Sequence, residues 1–325
     1  MEDTRKRLIE LLYNQTGDYI SGQELSKQLN ISRSAIWKHM NELKKAGYQI
    51  EAITNRGYRI VSVPHEMSEA SLRWGLDTTW YGKEINYLPS VTSTQYHAHD
   101  LAREGCDHGT VVIAGEQTAG KGRLKRYWDS PAGLGLWFSV VLRPTELTPK
   151  AATQLTLVAA VAYAKALKKW SIPVKIKWPN DLYIGDQKLA GILTEMQAEQ
   201  DEIDYIVLGT GINVNHTTDD FHPSVQHTAT SLKQFLNKTV DLNALFRDMA
   251  SNFETEYDHF LNNGFQSIKE DWEQLGYKIG EWLTIRTNTE WSGKLISLND
   301  DGALIVEDVL GEQHILYSAE ILWRS

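Results

Sequence analysis

Hydrophobic positions in the first 63 residues recur at helical spacing and then change to the spacing of strands. Leu8, Ile9, Leu11 and Leu12 set an apolar stripe on a first helix. Ser21-Gly22-Gln23-Glu24 reads as a capping box, hydroxyl and carboxylate each satisfying an orphan amide, and opens a second helix running to about Leu29. Asn30 takes the turn. Ser32 caps a third helix through about Ala46, with Ile36, Met40 and Leu43 on its core side, and Gly47 stops it. Residues 48–54 and 57–61 then read as a hairpin with Asn55-Arg56-Gly57 at its tip.

Past a short polar segment, 62–68, strand-like runs alternate with helical ones. Strands are expected at 85–91, 110–117, 134–142, 174–178, 181–184, 189–196 and 203–214. Helices are expected at 94–104, at 149–170 as one long element, and at 242–261. Short strands at 281–287, 293–298, 303–307 and 313–317, around Asn299-Asp300-Asp301-Gly302, suggest a small β-barrel. The order predicts a multidomain α+β protein whose central domain holds a mixed sheet.

Length and composition narrow the class. At 325 residues two or three domains are expected, and 42% hydrophobic with 23% charged residues excludes a disordered chain. One cysteine, Cys106, excludes an internal disulfide framework and a cysteine-built zinc cluster. The start of the chain lacks the apolar core of a signal peptide, and the apolar run 155–164 is too short to span a bilayer. A cytoplasmic protein with no membrane partner is expected. Residues 1–63 hold ten Lys and Arg against seven Asp and Glu, although the whole chain is −9. A basic head on an acidic body implies separate partners.

The head resembles a winged helix-turn-helix. Its third helix would enter the major groove with Ser32, Arg33, Ser34, Trp37, Lys38 and His39, and Arg56 of the wing would reach the backbone or minor groove. The same elements also build small protein-interaction domains. The cations gathered on one face favour DNA.

In the body, Gln117-Thr118-Ala119-Gly120-Lys121-Gly122-Arg123-Leu124-Lys125-Arg126-Tyr127-Trp128 sets four cations in a glycine-spaced loop. Glycines admit close backbone approach and arginines offer forked donors to phosphate or carboxylate, although charge alone would also suit a solvated mobile loop. A P-loop is excluded, since Gly122 stands where a magnesium-binding hydroxyl is required. Gly133-Leu134-Gly135 and Gly209-Thr210-Gly211 each lack the third glycine of a dinucleotide fingerprint. Lys177-Trp178-Pro179-Asn180-Asp181 followed by Lys188-Leu189-Ala190-Gly191 puts an acid and a base across a hairpin turning at Gly185-Asp186.

With Ser93-Thr94-Gln95, Trp128 and Gly211-Ile212-Asn213-Val214-Asn215, these motifs in this order resemble the bifunctional biotin–protein ligases and biotin-operon repressors of bacteria over essentially the whole chain. The resemblance implies three domains: a winged helix-turn-helix (1–64), a class II synthetase-like ligase domain (65–275) and an SH3-like C-terminal domain (276–325). It implies ATP-dependent formation of biotinyl-5'-AMP with Mg2+, then transfer to a lysine of a biotin carboxyl carrier domain. Ser93, Thr94, Gln95, Gln117, Lys121, Gly122 and Gly191 would form the biotin pocket together with Arg123 and Lys188. Arg123, Arg126, Trp128, Asn180, Lys188 and Asn213 would hold the nucleotide. Lys188 would be the principal catalytic cation beside Arg123, and Asp181 would carry the magnesium. Trp178 is expected to pack rather than bind.

The family usually has arginine where this chain has Lys121. Losing the bidentate fork predicts weaker retention of biotin or adenylate, with chemistry kept by Arg123. The resemblance also implies a homodimer on operator DNA when the adenylate persists. Two alternatives stand beside it: a ligase whose head reads no operator, and a repressor with an inactive core.

Overall fold

The computed structural model describes residues 2–13, 18–54, 56–62, 64, 66–199, 202–287, 289–317 and 320–322. Asn55 of the expected wing tip, and Val63 and His65 of the expected linker, lie outside them. The chain forms two units, Met1–Leu76 and Asp77–Ser325.

In the first unit, helices α1 (Glu2–Tyr13), α2 (Gly22–Leu29) and α3 (Arg33–Lys45) enclose Leu8, Leu12, Leu25, Leu29, Ile36, Met40 and Leu43. The Ser21 hydroxyl accepts from the Glu24 amide. The expected return bond from the Glu24 side chain is replaced, because that carboxylate accepts from Gln28 one turn on, at 2.7 Å. Ser32 caps α3 through the Ala35 amide. Strands β1 (Gln49–Ile53) and β2 (Gly57–Ser62) pair antiparallel, and Gly57 opens β2 at φ +115° where an added Cβ would lie 2.0 Å from the Ile20 carbonyl oxygen. Helix α4 (Glu69–Arg73) completes the unit.

The second unit is built on a seven-stranded mixed sheet. In chain order it runs β3 (Ile85–Val91), α5 (Thr94–Arg103), β4 (Val111–Gln117), β5 (Gly135–Leu142), α6 (Pro149–Ala152), α7 (Leu155–Lys169), β6 (Val174–Lys177), β7 (Asp181–Ile184), β8 (Gln187–Glu199) and β9 (Glu202–Asn213). Across the sheet the order is β3-β4-β5-β9-β8-β7-β6, with β3–β4 parallel and the other pairs antiparallel. The helix expected at 149–170 is two. Thr153 and Gln154 close α6 with tighter bonds to Lys150 and Ala151, and the Gln154 side chain leaves to donate to the Asp300 carbonyl.

Strand β5 is buried throughout and shows how the layers stack. Ser139 and Val141 meet α5 on one face. Phe138, the residue before Ser139, lies edge-on to Tyr163 of α7 and to Phe246 on the other. Phe246 belongs to α9 (Leu242–Asn263), which follows the short α8 (Leu232–Leu236) and precedes α10 (Gln266–Leu275). The face covered by α7 and α9 is mainly apolar, with the Thr194 and Thr210 hydroxyls bonded to Thr156 and Tyr163 of α7. The face toward α5 carries Gln117, Ser139 and Glu195.

The tail forms a five-stranded antiparallel sheet of β10 (Trp282–Arg286), β11 (Glu290–Leu298), β12 (Leu304–Asp308), β13 (Gln313–Leu316) and β14 (Glu320–Leu322), in the order β13-β12-β11-β10-β14. The Trp178 indole is buried and donates to the Gly302 carbonyl, joining this sheet to the Trp-Pro corner, whose Trp178–Pro179 bond is cis. Trp178 packs, as expected. Among the described residues no helix is long and apolar enough to cross a membrane.

Candidate functional site

The α5 face of the sheet presents a shelf made of glycines. At Gly211 of β9 an added Cβ would lie 2.4 Å from Trp128 Nε1, and at Gly209 it would lie 2.3 Å from Gln95 Oε1. Gly191 of β8, opposite Gly211, lies under the edge of the Trp128 ring and near Lys188. Only bare backbone lets Gln95 and Trp128 approach so closely. Trp128 Nε1 is buried with no hydrogen-bond partner among the described residues, a donor that a ligand's oxygen or nitrogen would satisfy.

Beside the shelf runs a buried polar chain. Gln117 Oε1 accepts from the Thr94 amide at 2.8 Å and from its hydroxyl at 3.1 Å. Gln117 Nε2 donates to Ser130 Oγ at 2.8 Å. The Thr94 and Ser139 hydroxyls are 2.9 Å apart, Ser139 donates to Gln95 Oε1, and Gln95 Nε2 donates to the Val207 carbonyl. Ser93 caps α5 through the Gln95 amide and is itself buried. The sequence reading missed Ser139 and Ser130. A lone serine in the apolar run Gly135-Leu-Trp-Phe-Ser-Val-Val-Leu142 was the available signal for the first.

At the other end of the shelf, Lys188 Nζ lies 2.8 Å from Asp181 Oδ1 and 5.1 Å from the centre of the Trp128 ring. Beyond that ion pair Asp181 Oδ1 is buried with no hydrogen-bond partner among the described residues. A bulge between Leu182 and Tyr183 shifts the register, so Asp181 pairs with Gly191 and Tyr183 with Lys188. Asn180 exchanges hydrogen bonds with the Ile192 backbone, and its Oδ1 accepts from Arg123 Nη1 at 2.8 Å. Arg123, Asn180, Asp181 and Lys188 thus form one connected row. The oxygens of Asp181 and Asn180 are the hard donors that a magnesium ion shared with phosphates takes.

The basic loop is a narrow turn, with Lys121 bridging Tyr127 and Gln117 bridging Ser130. Arg123 and Arg126 are exposed, as are Leu124 and Tyr127 near its tip. Gly122 donates its amide to the Arg126 carbonyl. Lys121 turns away from this row. Its ammonium lies 2.6 Å from Glu195 Oε1 and 5.0 Å above the Tyr96 ring. Burial pushes the Glu195 carboxyl up, but hydrogen bonds from Lys121, Gln95 and His99 outweigh it and hold the group below its ordinary range. Asn213 is buried at the end of β9, and Asn215 clamps the Val240 backbone with both amide atoms.

In the head, Arg33, Ser34, Trp37 and Lys38 share the exposed side of α3, Trp37 at 62% exposure, with Ser32 at its start. His39 is half-buried and turned to Glu42 at 3.3 Å. The Arg56 guanidinium lies 4.4 Å over the Tyr19 ring.

Comparison with known proteins places both units. The sequence profile of the Biotin/lipoate A/B protein ligase family matches residues 87–213, and that of an HTH domain matches 4–59. The chain is 41% identical to proteins named bifunctional ligase/repressor BirA from Bacillus spizizenii and Bacillus subtilis, over 98% of this chain and 98% of each relative. The solved structure of a biotin protein ligase from Aquifex aeolicus in complex with biotin and ATP matches with 29% identity and a TM-score of 0.66. That match covers 75% of this chain and 100% of the other.

Proposed function

Because the chain belongs to the family of bifunctional ligase/repressors within the biotin/lipoate protein ligases, we propose that it joins biotin to a carrier protein in two steps and represses transcription through its head. In the first step a biotin carboxylate oxygen attacks the α-phosphorus of ATP, and pyrophosphate leaves. In the second a carrier lysine's ε-amine attacks the acyl carbon of biotinyl-5'-AMP. AMP departs and the amine's proton is lost. The observation that carries this reading is the row Arg123–Asn180–Asp181–Lys188 lying against a glycine shelf with the Thr94–Gln95–Gln117 chain behind it.

The buried amides and hydroxyls of Thr94, Gln95 and Gln117, with Ser93, hold the polar ureido end of biotin, and Gly122 and Gly191 leave room for its body. Lys188 and Arg123 stabilise negative charge where carboxylate and phosphate meet, in a partly dry cleft where such charge counts for more than in water. Trp128 and Arg126 cover the nucleotide, and Asn213 lies at its end of the shelf. Asp181, with Asn180 beside it, would hold Mg2+, whose positive charge would offset that of the phosphates. Positioning is the larger part of the chemistry, since both steps join groups that meet rarely in solution.

We assign the winged helix-turn-helix to 1–64, the synthetase-like ligase domain to 65–275, and the short antiparallel strands of 276–325 to an SH3-like barrel. The work is cytoplasmic, where carrier and operator are both met. When carrier is scarce, retained adenylate favours a homodimer whose two heads read an inverted repeat, Arg33, Ser34, Trp37 and Lys38 in the groove and Arg56 at the backbone.

The test is biotin-dependent exchange of pyrophosphate into ATP. Exchange is expected in the wild type and about 100-fold or more slower in Lys188→Ala. Exchange that needs no biotin, or that survives Lys188→Ala, would overturn the assignment. The same ligands should tighten binding to a DNA fragment upstream of biotin-synthesis genes, and indifference would leave a ligase without a repressor.

A further inference from the structure

Glu195 occupies a junction that the two-step reaction does not itself require. It stands on β8, in register with Val207 of β9. One carboxylate oxygen takes the Lys121 ammonium at 2.6 Å, and the other lies 3.3 Å from His99 Nε2. His99 passes the contact on, its Nδ1 lying 3.4 Å from the Tyr205 hydroxyl of β9. Three parts of the site therefore converge on one side chain: the root of the basic loop, the helix α5 that carries Thr94 and Gln95, and the central strands.

Lys121 is spent in this junction. Its charge is matched by Glu195, its ammonium rests over Tyr96 of α5, and its backbone bridges Tyr127 across the loop. Arg123, two residues on, is exposed, and its guanidinium donates to the neutral amide of Asn180. Of these two loop cations one is committed to the scaffold and the other faces the reaction.

We propose that Glu195 is a positioning residue for the ligase site, and that its pairing with Lys121 makes that lysine a strut fixing the loop's root against α5 rather than a ligand for carboxylate or phosphate. The proposal deepens the ligase reading and rests on it. The carboxylate fixes where Lys121 stands and hence where the loop leaves the sheet. The same carboxylate holds His99 on α5, the helix that carries Thr94 and Gln95, so the biotin pocket and the loop share one support. On this account lysine in place of arginine at 121 matters little for adenylate retention, since the side chain meets a protein carboxylate.

The test compares Glu195→Gln, Lys121→Met, the double variant and Glu195→Asp by three readouts. Chymotryptic cutting at Leu124 and Tyr127 reports how firmly the loop is rooted, without any need for activity. Pyrophosphate exchange gives KM for biotin and kcat separately, and thermal unfolding reports the fold. For Glu195→Gln the expectation is roughly tenfold faster cutting and a roughly tenfold higher KM for biotin, with kcat within about twofold and an unchanged unfolding midpoint. Lys121→Met should speed cutting equally, and the double variant should be no worse than either single change, as one shared interaction requires. Glu195→Asp should recover part of the loss. Additive effects in the double variant, unchanged cutting, or a fall in kcat at constant KM would overturn the proposal. Should the wild type show no exchange, the ligase reading fails, while the cutting rates still decide whether Glu195 roots the loop.

Discussion

Lys188 would be an ordinary hairpin lysine but for its surroundings: a carboxylate at 2.8 Å, an indole beneath it and a glycine shelf alongside. His216 is the opposite case, a titratable side chain that motif reading passes over. It stacks on Phe221 at 4.7 Å, lies edge-on to Trp137 at 6.0 Å, and its Nδ1 has no partner among the described residues. Burial lowers its pKa to about 4, and the charges of Asp220 and Asp129 offset this only in part. The unfolded chain therefore takes up this proton near pH 6.5, while the folded protein resists it until about pH 4. Stability should be unaffected by His216 above pH 7 and should fall as pH drops through that window. His108, also lowered by burial, adds in the same direction. In His216→Gln the fall in thermal midpoint between pH 7 and pH 4.5 should be shallower than in the wild type. Parallel curves would show that His216 carries no proton-linked stability. Nothing in Asn215-His216 as sequence signals this, because the stacking partners come from β5 and a later loop.

The strands show what spacing reveals and what it hides. Alternation and caps place the elements of the head and the strands of the sheet to within a few residues. The caps at Ser21 and Ser32 were legible because an N-cap is a local bargain between a hydroxyl and an amide three residues on. The break at Thr153–Gln154 was not, since its cause is a hydrogen bond to Asp300 far along the chain. The row of Gly191, Gly209 and Gly211 was visible as residues, but its purpose depends on β8 and β9 pairing in register. Gly211→Ala tests that purpose. A methyl 2.4 Å from Trp128 Nε1 requires the indole to move, at a cost of about 1–3 kcal/mol where packing is close. Calorimetry should show biotin or ATP bound at least several-fold more weakly, with the fold retained. Unchanged affinity for both ligands would mean that Trp128 does not form part of the nucleotide site.

At the scale of the whole molecule, charge and motif order were the most legible features. A basic start, an acidic remainder and a set of spaced motifs pointed to two activities in one chain, and the ligase and HTH profiles match the corresponding stretches. The fate of individual cations was less legible. The resemblance puts both Lys121 and Arg123 in the biotin pocket, and the fold separates them, one held by Glu195 and the other reaching Asn180. Which cations face a ligand depends on carboxylates brought from distant strands. The account stands on transfer of biotin, and one measurement addresses it most directly: the mass of a biotin carboxyl carrier domain after incubation with the protein, biotin and Mg-ATP. The account predicts a gain of a single biotin on one lysine, absent without ATP and absent with Lys188→Ala. A folded protein that leaves a competent carrier at its original mass would contradict it.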